Sequence, residues 1–183
     1  MKHRTQQSGI NRHEKMIKLL PFEKEDFEKF ISWIDNEEFL VQFAGTVVFK
    51  YPLTNEQLIA YISDDKRLAF KVVEAETNEA IGHAEIYSVN AETSRLCRIL
   101  IGKKEYRGKG TGQQIIQQLK DYSFDKLNVE TVELNVYDWN IAAIKCYEKA
   151  GFKINPNQIT TAEVNGKVWK AINMRIKKDN DKR

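Results

Sequence analysis

The spacing of apolar positions along this chain changes period several times, and each change marks an element. Ile17 to Phe22 is a short apolar run that reads as a strand; after the charged stretch Glu23-Lys24-Glu25-Asp26, residues Phe27, Phe30, Ile31 and Ile34 recur at helical spacing. A second helical patch runs from Glu37 to Phe43. Beyond Pro52, Thr54 is expected as an N-cap with Gln57 completing a capping box, opening a helix that turns Leu58, Ile59 and Ile62 inward. From Leu68 the period falls to two. Leu68 to Val73, Ala80 to Val89 and Ser94 to Gly102 read as three strands of an antiparallel meander, joined by turns at Thr77-Asn78-Glu79 and Asn90-Ala91-Glu92. Helical spacing returns over Thr111 to Asp125, where Ile115, Ile116, Leu119 and Tyr122 share one stripe. Val129 to Val136 is then a strand, and Asn140 to Ala150 a helix ended by Gly151. Gln158 to Val164 and Lys167 to Ile176 form a hairpin about Asn165-Gly166, the signature of a type I′ turn. This succession of elements is that of a single α+β domain.

Composition narrows the picture without changing it. The chain has 183 residues, 42% hydrophobic and 30% charged, which suits one soluble domain with a sizeable core. Residues 1–14 are polar and are expected to be a flexible extension, 15–178 the domain, and 179–183 a polar tail. A net charge of +3 is too balanced for the broad cationic face that nucleic-acid backbones require. The apolar runs are shorter than the roughly 18–20 residues of a membrane span, and the N-terminus lacks the apolar core of a signal peptide. Cys97 and Cys146 fall in a strand and a helix with no metal-binding spacing, and two thiols without a disulfide framework suit a cytoplasmic protein. No nucleic acid, membrane or metal partner is expected.

The chemistry concentrates in Arg107-Gly108-Lys109-Gly110-Thr111-Gly112, between an apolar strand and an amphipathic helix. A helix start offers unpaired backbone N–H groups and a positive dipole end, and glycines let an anion approach the backbone closely. Pyrophosphate is the natural ligand of such a nest. Spacing disfavours two families of ligand. Gly102 to Gly108 is one residue too long for a Walker loop and Lys109 is followed by Gly110; a dinucleotide fingerprint would need glycine where Gln113 stands.

Arg107-x-x-Gly110-x-Gly112 resembles the Gln/Arg-x-x-Gly-x-Gly/Ala motif of the GNAT N-acetyltransferases. Asn140-Ile141-Ala142-Ala143 and Tyr147-Glu148-Lys149-Ala150-Gly151-Phe152 are similar to two further motifs of that family at the family's spacing. The resemblance spans Ile17 to Ile176 and is strongest from Arg95 to Phe152. It implies a mixed central sheet of about seven strands flanked by helices. It further implies acetyl-CoA as co-substrate, no metal, and an acetyl group moved by direct attack of a primary amine on the thioester. Coenzyme contacts are implied for Leu100, Ile101 and Gly102, for the loop Arg107, Gly108, Lys109, Gly110, Thr111, Gly112 and Gln113, and for Asn140 and Tyr147. The thioester is expected between strands that splay apart, here Arg98 to Gly102 and Glu133 to Val136. Lys103, Lys104, Lys109 and Lys145 are expected around the phosphates.

Tyr147 is expected as the general acid, because a phenol of pKa about 10 can protonate a departing thiolate of comparable basicity; it is also a plausible inward-packing aromatic. Asn140 is equally suited to cap its helix. The general base is expected at Glu85, which strand alternation puts on the same face as His83, although a solvated edge glutamate fits the pattern too. Asp35, Glu37 and Glu38 offer charge to a cationic acceptor, whereas Trp33, Trp139 and Trp169 read as packing residues. The acceptor is expected to be a small-molecule amine or a protein N-terminus, and the chain a monomer or homodimer. A non-catalytic acyl-CoA-binding module is the alternative, which retention of Asn140 and Tyr147 disfavours.

Overall fold

Strands β1 (Ile17–Pro21), β2 (Arg67–Glu74), β3 (Ala80–Asn90), β4 (Thr93–Ile101), β5 (Thr131–Tyr137), β6 (Lys153–Val164) and β7 (Lys167–Lys177) build one sheet in the order β1-β2-β3-β4-β5-β7-β6. The computed structural model describes residues 16–179, so the expected extension at 1–14 and most of the polar tail lie outside the described residues. Every neighbouring pair is antiparallel except β4 and β5, which run parallel. That exception follows from the connection: α4 (Thr111–Asp121) crosses between the two strands, as parallel pairing requires.

Each face of the sheet carries its own core. Helix α4 and α5 (Ile141–Lys149) cover one face, where Ile115, Ile116 and Leu119 pack with Val72, Ile81, Leu96, Leu134 and Phe152. On the other face α1 (Phe27–Ile31), α2 (Glu37–Ala44) and α3 (Asn55–Ile62) bury Phe27, Phe30, Leu40 and Leu58 against Phe22 and Leu100. Strand alternation explains the split, since Leu100 belongs to the α1–α3 face and its neighbour Ile101 to the α4–α5 face. No helix among the described residues is long and apolar enough to cross a membrane.

Three expectations change in detail. Thr54 does cap α3, accepting from the Gln57 backbone N–H at 3.4 Å, but no capping box closes, because the Gln57 side chain reaches back to Lys50 N at 2.7 Å and to the Lys50 and Pro52 carbonyls. The buried face of α3 is Leu58 and Tyr61, while Ile59 is 44% exposed. Strand β6 begins at Lys153 rather than Gln158, with an irregularity between Asn155 and Ile159 that accommodates Pro156 on an edge strand. The final turn is as expected: Asn165 and Gly166 both have positive φ, 50° and 72°.

Candidate active site

Strands β4 and β5 pair only from Thr93↔Thr131 to Leu96↔Leu134, although both continue, β4 to Ile101 and β5 to Tyr137. The gap opens where Arg98 adopts φ 47°. At that point the β3–β4 register slips between His83↔Leu100 and Glu85↔Cys97, so Arg98 and Ile99 together oppose Ala84. This is a β-bulge, which bends its strand and leaves backbone groups free of the ladder. Two diverging strand ends of this kind can accept an extended, amide-bearing chain between them.

At the far end of β4 the chain turns into the glycine-rich loop. Gly108 and Gly110 have φ of 70° and 83°, angles that disfavour any side chain, and Gly110 is the N-cap of α4 without any side-chain cap bond. The first N–H groups of α4 therefore remain available to an anion. Thr111 closes the loop from within, its hydroxyl donating to the Tyr106 carbonyl at 2.8 Å. Arg107 is exposed but tethered: its Nε donates to the Ile101 carbonyl at 2.8 Å and its guanidinium lies 5.9 Å from the Phe39 ring centroid. Gly102 allows a close approach, since a Cβ there would stand 2.1 Å from the Trp33 indole. Gln113 accepts from the Cys146 thiol at 3.7 Å, tying α4 to α5. Lys109, in this loop, and Lys145, on α5, are both exposed, whereas Lys103 is paired with Glu79.

Helix α5 brings Tyr147 to this region. Asn140 caps it, accepting from Ala143 N at 3.3 Å, so its side chain has a structural task. The Tyr147 ring packs edge-on to Phe152, with centroids 6.3 Å apart, and the described residues offer its hydroxyl no hydrogen bond. Burial pushes the Tyr147 phenol well above the ordinary range, so it stays protonated at neutral pH. The proton is present, and burial makes it harder to release than that of an exposed phenol.

Glu85 lies in the middle of the sheet, fully buried, and both its oxygens are occupied. Oε2 accepts from Tyr61 OH and from Arg98 Nη1, each at 2.6 Å, and Oε1 accepts from Arg67 Nη1 at 2.8 Å. Both oxygens are thus engaged by charge-assisted hydrogen bonds from two guanidiniums and one from a phenol. The reading as a solvated edge residue fails because β3 is an interior strand. His83 does share this face, buried against Phe22 and Phe30. Its Nδ1–H donates to the Arg98 carbonyl at 2.9 Å, and burial lowers the imidazole to about 4, so it is neutral at pH 7. Burial likewise pushes the Cys97 thiol, at the bulge, up to about 12.

The geometry thus presents an anion nest, a gap between parallel strands, and a protonated phenol from the following helix. A family model for the acetyltransferase (GNAT) domain matches residues 17–153. The chain is a GNAT acetyltransferase. Among curated relatives, the spermidine N(1)-acetyltransferase of Escherichia coli (strain K12) is 29% identical over 161 residues, covering 87% of this chain and 85% of the relative. An N-acetyltransferase 9-like protein of Caenorhabditis briggsae is 24% identical over 146 residues, covering 74% of this chain and 73% of the relative. Among solved structures, the spermidine N-acetyltransferase from Vibrio cholerae in complex with CoA and spermine matches with a TM-score of 0.74 at 23% identity, covering 88% and 95% of the two chains.

As a GNAT member the chain is an acetyl-CoA-dependent N-acetyltransferase, and the α+β fold with its seven-stranded mixed sheet is that of the solved neighbour. Two groupings are not legible in the sequence. Tyr61, Arg67 and Arg98, which enclose Glu85, come from α3, β2 and β4, and no local pattern marks their convergence. Trp139 and Trp169, expected as packing residues, do pack on Tyr137 and on each other, but Trp139 is 45% exposed and both also line a cleft of about 450 Å³ with Asn36, Glu38, Phe39 and Gln42. A tryptophan in the loop after β5 and another beside a hairpin turn were the available signal, since neither belongs to an apolar stripe.

Proposed function

We propose that this enzyme acetylates a primary amine of a linear polyamine, with Tyr147 as the proton donor to the departing thiolate. The gap between β4 and β5, flanked by the glycine nest on one side and Tyr147 on the other, carries the reaction. The residues fit the coenzyme: α4's uncapped start suits the pyrophosphate, and the end of β4 at Leu100 and Ile101, which pairs with β3 but not with β5, suits an amide-bearing arm. Acetyl-CoA supplies the electrophilic thioester. The polyamine acceptor is supported by the spermidine N(1)-acetyltransferase relative, aligned over 87% of this chain, and by Glu38 in the cleft beside the hairpin.

In this reading Glu85 is a positioning residue. With Arg67, Arg98 and Tyr61 on its oxygens it fixes the bulge of β4, and the attacking amine loses its proton to solvent. Asn140 acts through its helix cap, holding the α5 start that orients Tyr147. Arg107 acts by clamping the end of β4 to the loop, while the loop's amides meet the phosphates.

The test is transfer from acetyl-CoA to a panel of spermidine, spermine, short monoamines and peptides with free N-termini, followed by thiol release and product mass. Spermidine and spermine are expected to turn over with the highest kcat/KM. Acetylation confined to the peptides would overturn the polyamine reading. A second structure of the Vibrio cholerae enzyme is dodecameric, so an assembly larger than the dimer is the state to look for by light scattering.

A further inference from the structure

Trp139 and Trp169 meet almost at a right angle, with ring centroids 5.1 Å apart and planes at 80°. Tyr137 backs both, stacked flat on Trp139 at 5.7 Å and edge-on to Trp169 at 5.1 Å. Tyr137 is itself buried, with Val41 and Val164, so the two indoles are braced from behind rather than loose on the surface. They therefore form a fixed corner, one wall from the loop after β5 and the other from β7. The opposite side of the cleft is the first turns of α2, with Asn36, Glu38, Phe39 and Gln42. Glu38 is held in place through one oxygen, which accepts from Asn165 Nδ2 at 3.0 Å, and its second oxygen has no partner among the described residues. Phe39 already faces the Arg107 guanidinium and is not a free wall.

Such a corner selects a cation. Indole faces attract an ammonium by their quadrupole, a carboxylate adds a charge partner, and the flat walls cover methylene groups. None of the cleft's six lining residues is basic. The cleft also sits on the sequence that carries the chemistry: Trp139 directly precedes Asn140, the cap of the helix bearing Tyr147. From this the geometry points to the Trp139–Trp169 corner, completed by Glu38, as the site that holds the distal ammonium of the polyamine acceptor while its other end reaches the thioester. The inference rests on the polyamine reading, which it deepens by naming the groups that recognise the second charge.

The amine that reacts must be neutral when it attacks, whereas the corner favours the charged form, so it suits the nitrogen left unmodified. A monoamine of similar reach lacks that nitrogen and gains little from the corner. Discrimination between them then resides in KM rather than kcat.

The experiment is calorimetric titration of spermidine and of n-butylamine into the full-length protein with CoA present, for the wild type and the Trp139→Ala, Trp169→Ala, Trp169→Phe and Glu38→Gln variants. Each tryptophan-to-alanine change is expected to weaken spermidine binding by about tenfold, the size of one desolvated cation–π contact. Trp169→Phe, which retains a ring, should recover most of that loss, and Glu38→Gln should cost about threefold, as for a solvated charge pair. CoA affinity should not change, and binding is read at a temperature where each variant is fully folded, because both indoles also pack on Tyr137. Unaltered spermidine affinity in both alanine variants overturns the assignment, as does a wild type that binds spermidine no better than butylamine. Turnover distinguishes the two claims: spermidine acetylated by both variants at the wild-type KM removes the corner and leaves the polyamine reading standing. No transfer to spermidine by the wild type removes the reading.

Discussion

Replacing Glu85 by glutamine separates its two possible roles. The carboxylate is fully buried between Arg98, 8% exposed, and Arg67, and it also accepts from Tyr61. Arg67 has a second partner in Asp64, at 2.8 Å, but Arg98 has no other carboxylate within bridging distance among the described residues, and its Nε is already without a partner. Glutamine therefore leaves a guanidinium charge uncompensated inside the fold. Breaking a buried pair by removing one partner costs about 3–5 kcal/mol. At about 2–4 °C per kcal/mol for a chain of this size, the melting temperature should fall by about 6–20 °C. The assay is denaturant unfolding of both proteins together with kcat/KM against pH, each rate corrected for the folded fraction. A positioning role predicts lower stability, a raised KM for acetyl-CoA through the displaced end of β4, and an acid limb of the pH profile that persists. Full stability with loss of that limb would refute the argument and return Glu85 to the role of base.

The other expectations are more local. Tyr147→Phe should lower kcat by about 10²-fold with the acetyl-CoA dissociation constant unchanged, as loss of a general acid does; an unaltered kcat in a stopped-flow thiol assay removes Tyr147 from that role. Gly110→Val places a β-branched residue at φ 83° in the nest, at a cost of about 1–3 kcal/mol in strain, and should abolish coenzyme binding by calorimetry. His83 is held near pKa 4 by burial against about 6.5 unfolded, so the unfolded state takes the proton first as pH falls. Stability should thus be full above pH 6.5 and decline by about 3 kcal/mol on approaching pH 4, in unfolding curves at fixed ionic strength. A flat profile across that window would show that His83 titrates normally. Asn140→Ala should destabilise by about 1 kcal/mol through the lost cap and lower kcat without changing its pH dependence.

What the sequence disclosed follows from how local each feature is. The glycine nest, the cap at Asn140, the turn at Asn165-Gly166 and the stripe of α4 are each written within a few consecutive residues, so periodicity and turn chemistry suffice. The Glu85 network is not local: its donors come from positions 61, 67 and 98, on three elements, and alternation along β3 could say only that Glu85 and His83 share a face. The tryptophan corner has the same character, since residues 139 and 169 meet only after β7 has paired with β5. Average burial statistics for tryptophan fit Trp169, which packs against Tyr137 and Val164, and fail for Trp139, which the loop after β5 leaves 45% exposed.

The bulge at Arg98 joins these observations. A non-glycine residue at φ 47° in the interior of a strand has no sequence signature, yet it is where β4 leaves β5 and the site opens. Its conformation has to be maintained by tertiary contacts, because an isolated strand would relax to extended geometry. Those contacts are on hand: Glu85 holds the side chain of Arg98 and His83 holds its carbonyl, both from the adjacent strand β3. The spacing that makes Glu85 and His83 look like an acid–base pair is the spacing needed to grip one bulged residue by its two ends. A carboxylate and an imidazole near a reacting centre are therefore read better by their partners than by their proximity. Here both side chains are bonded to Arg98, beside the opening between β4 and β5, and the Glu85→Gln variant tests whether that is their whole task.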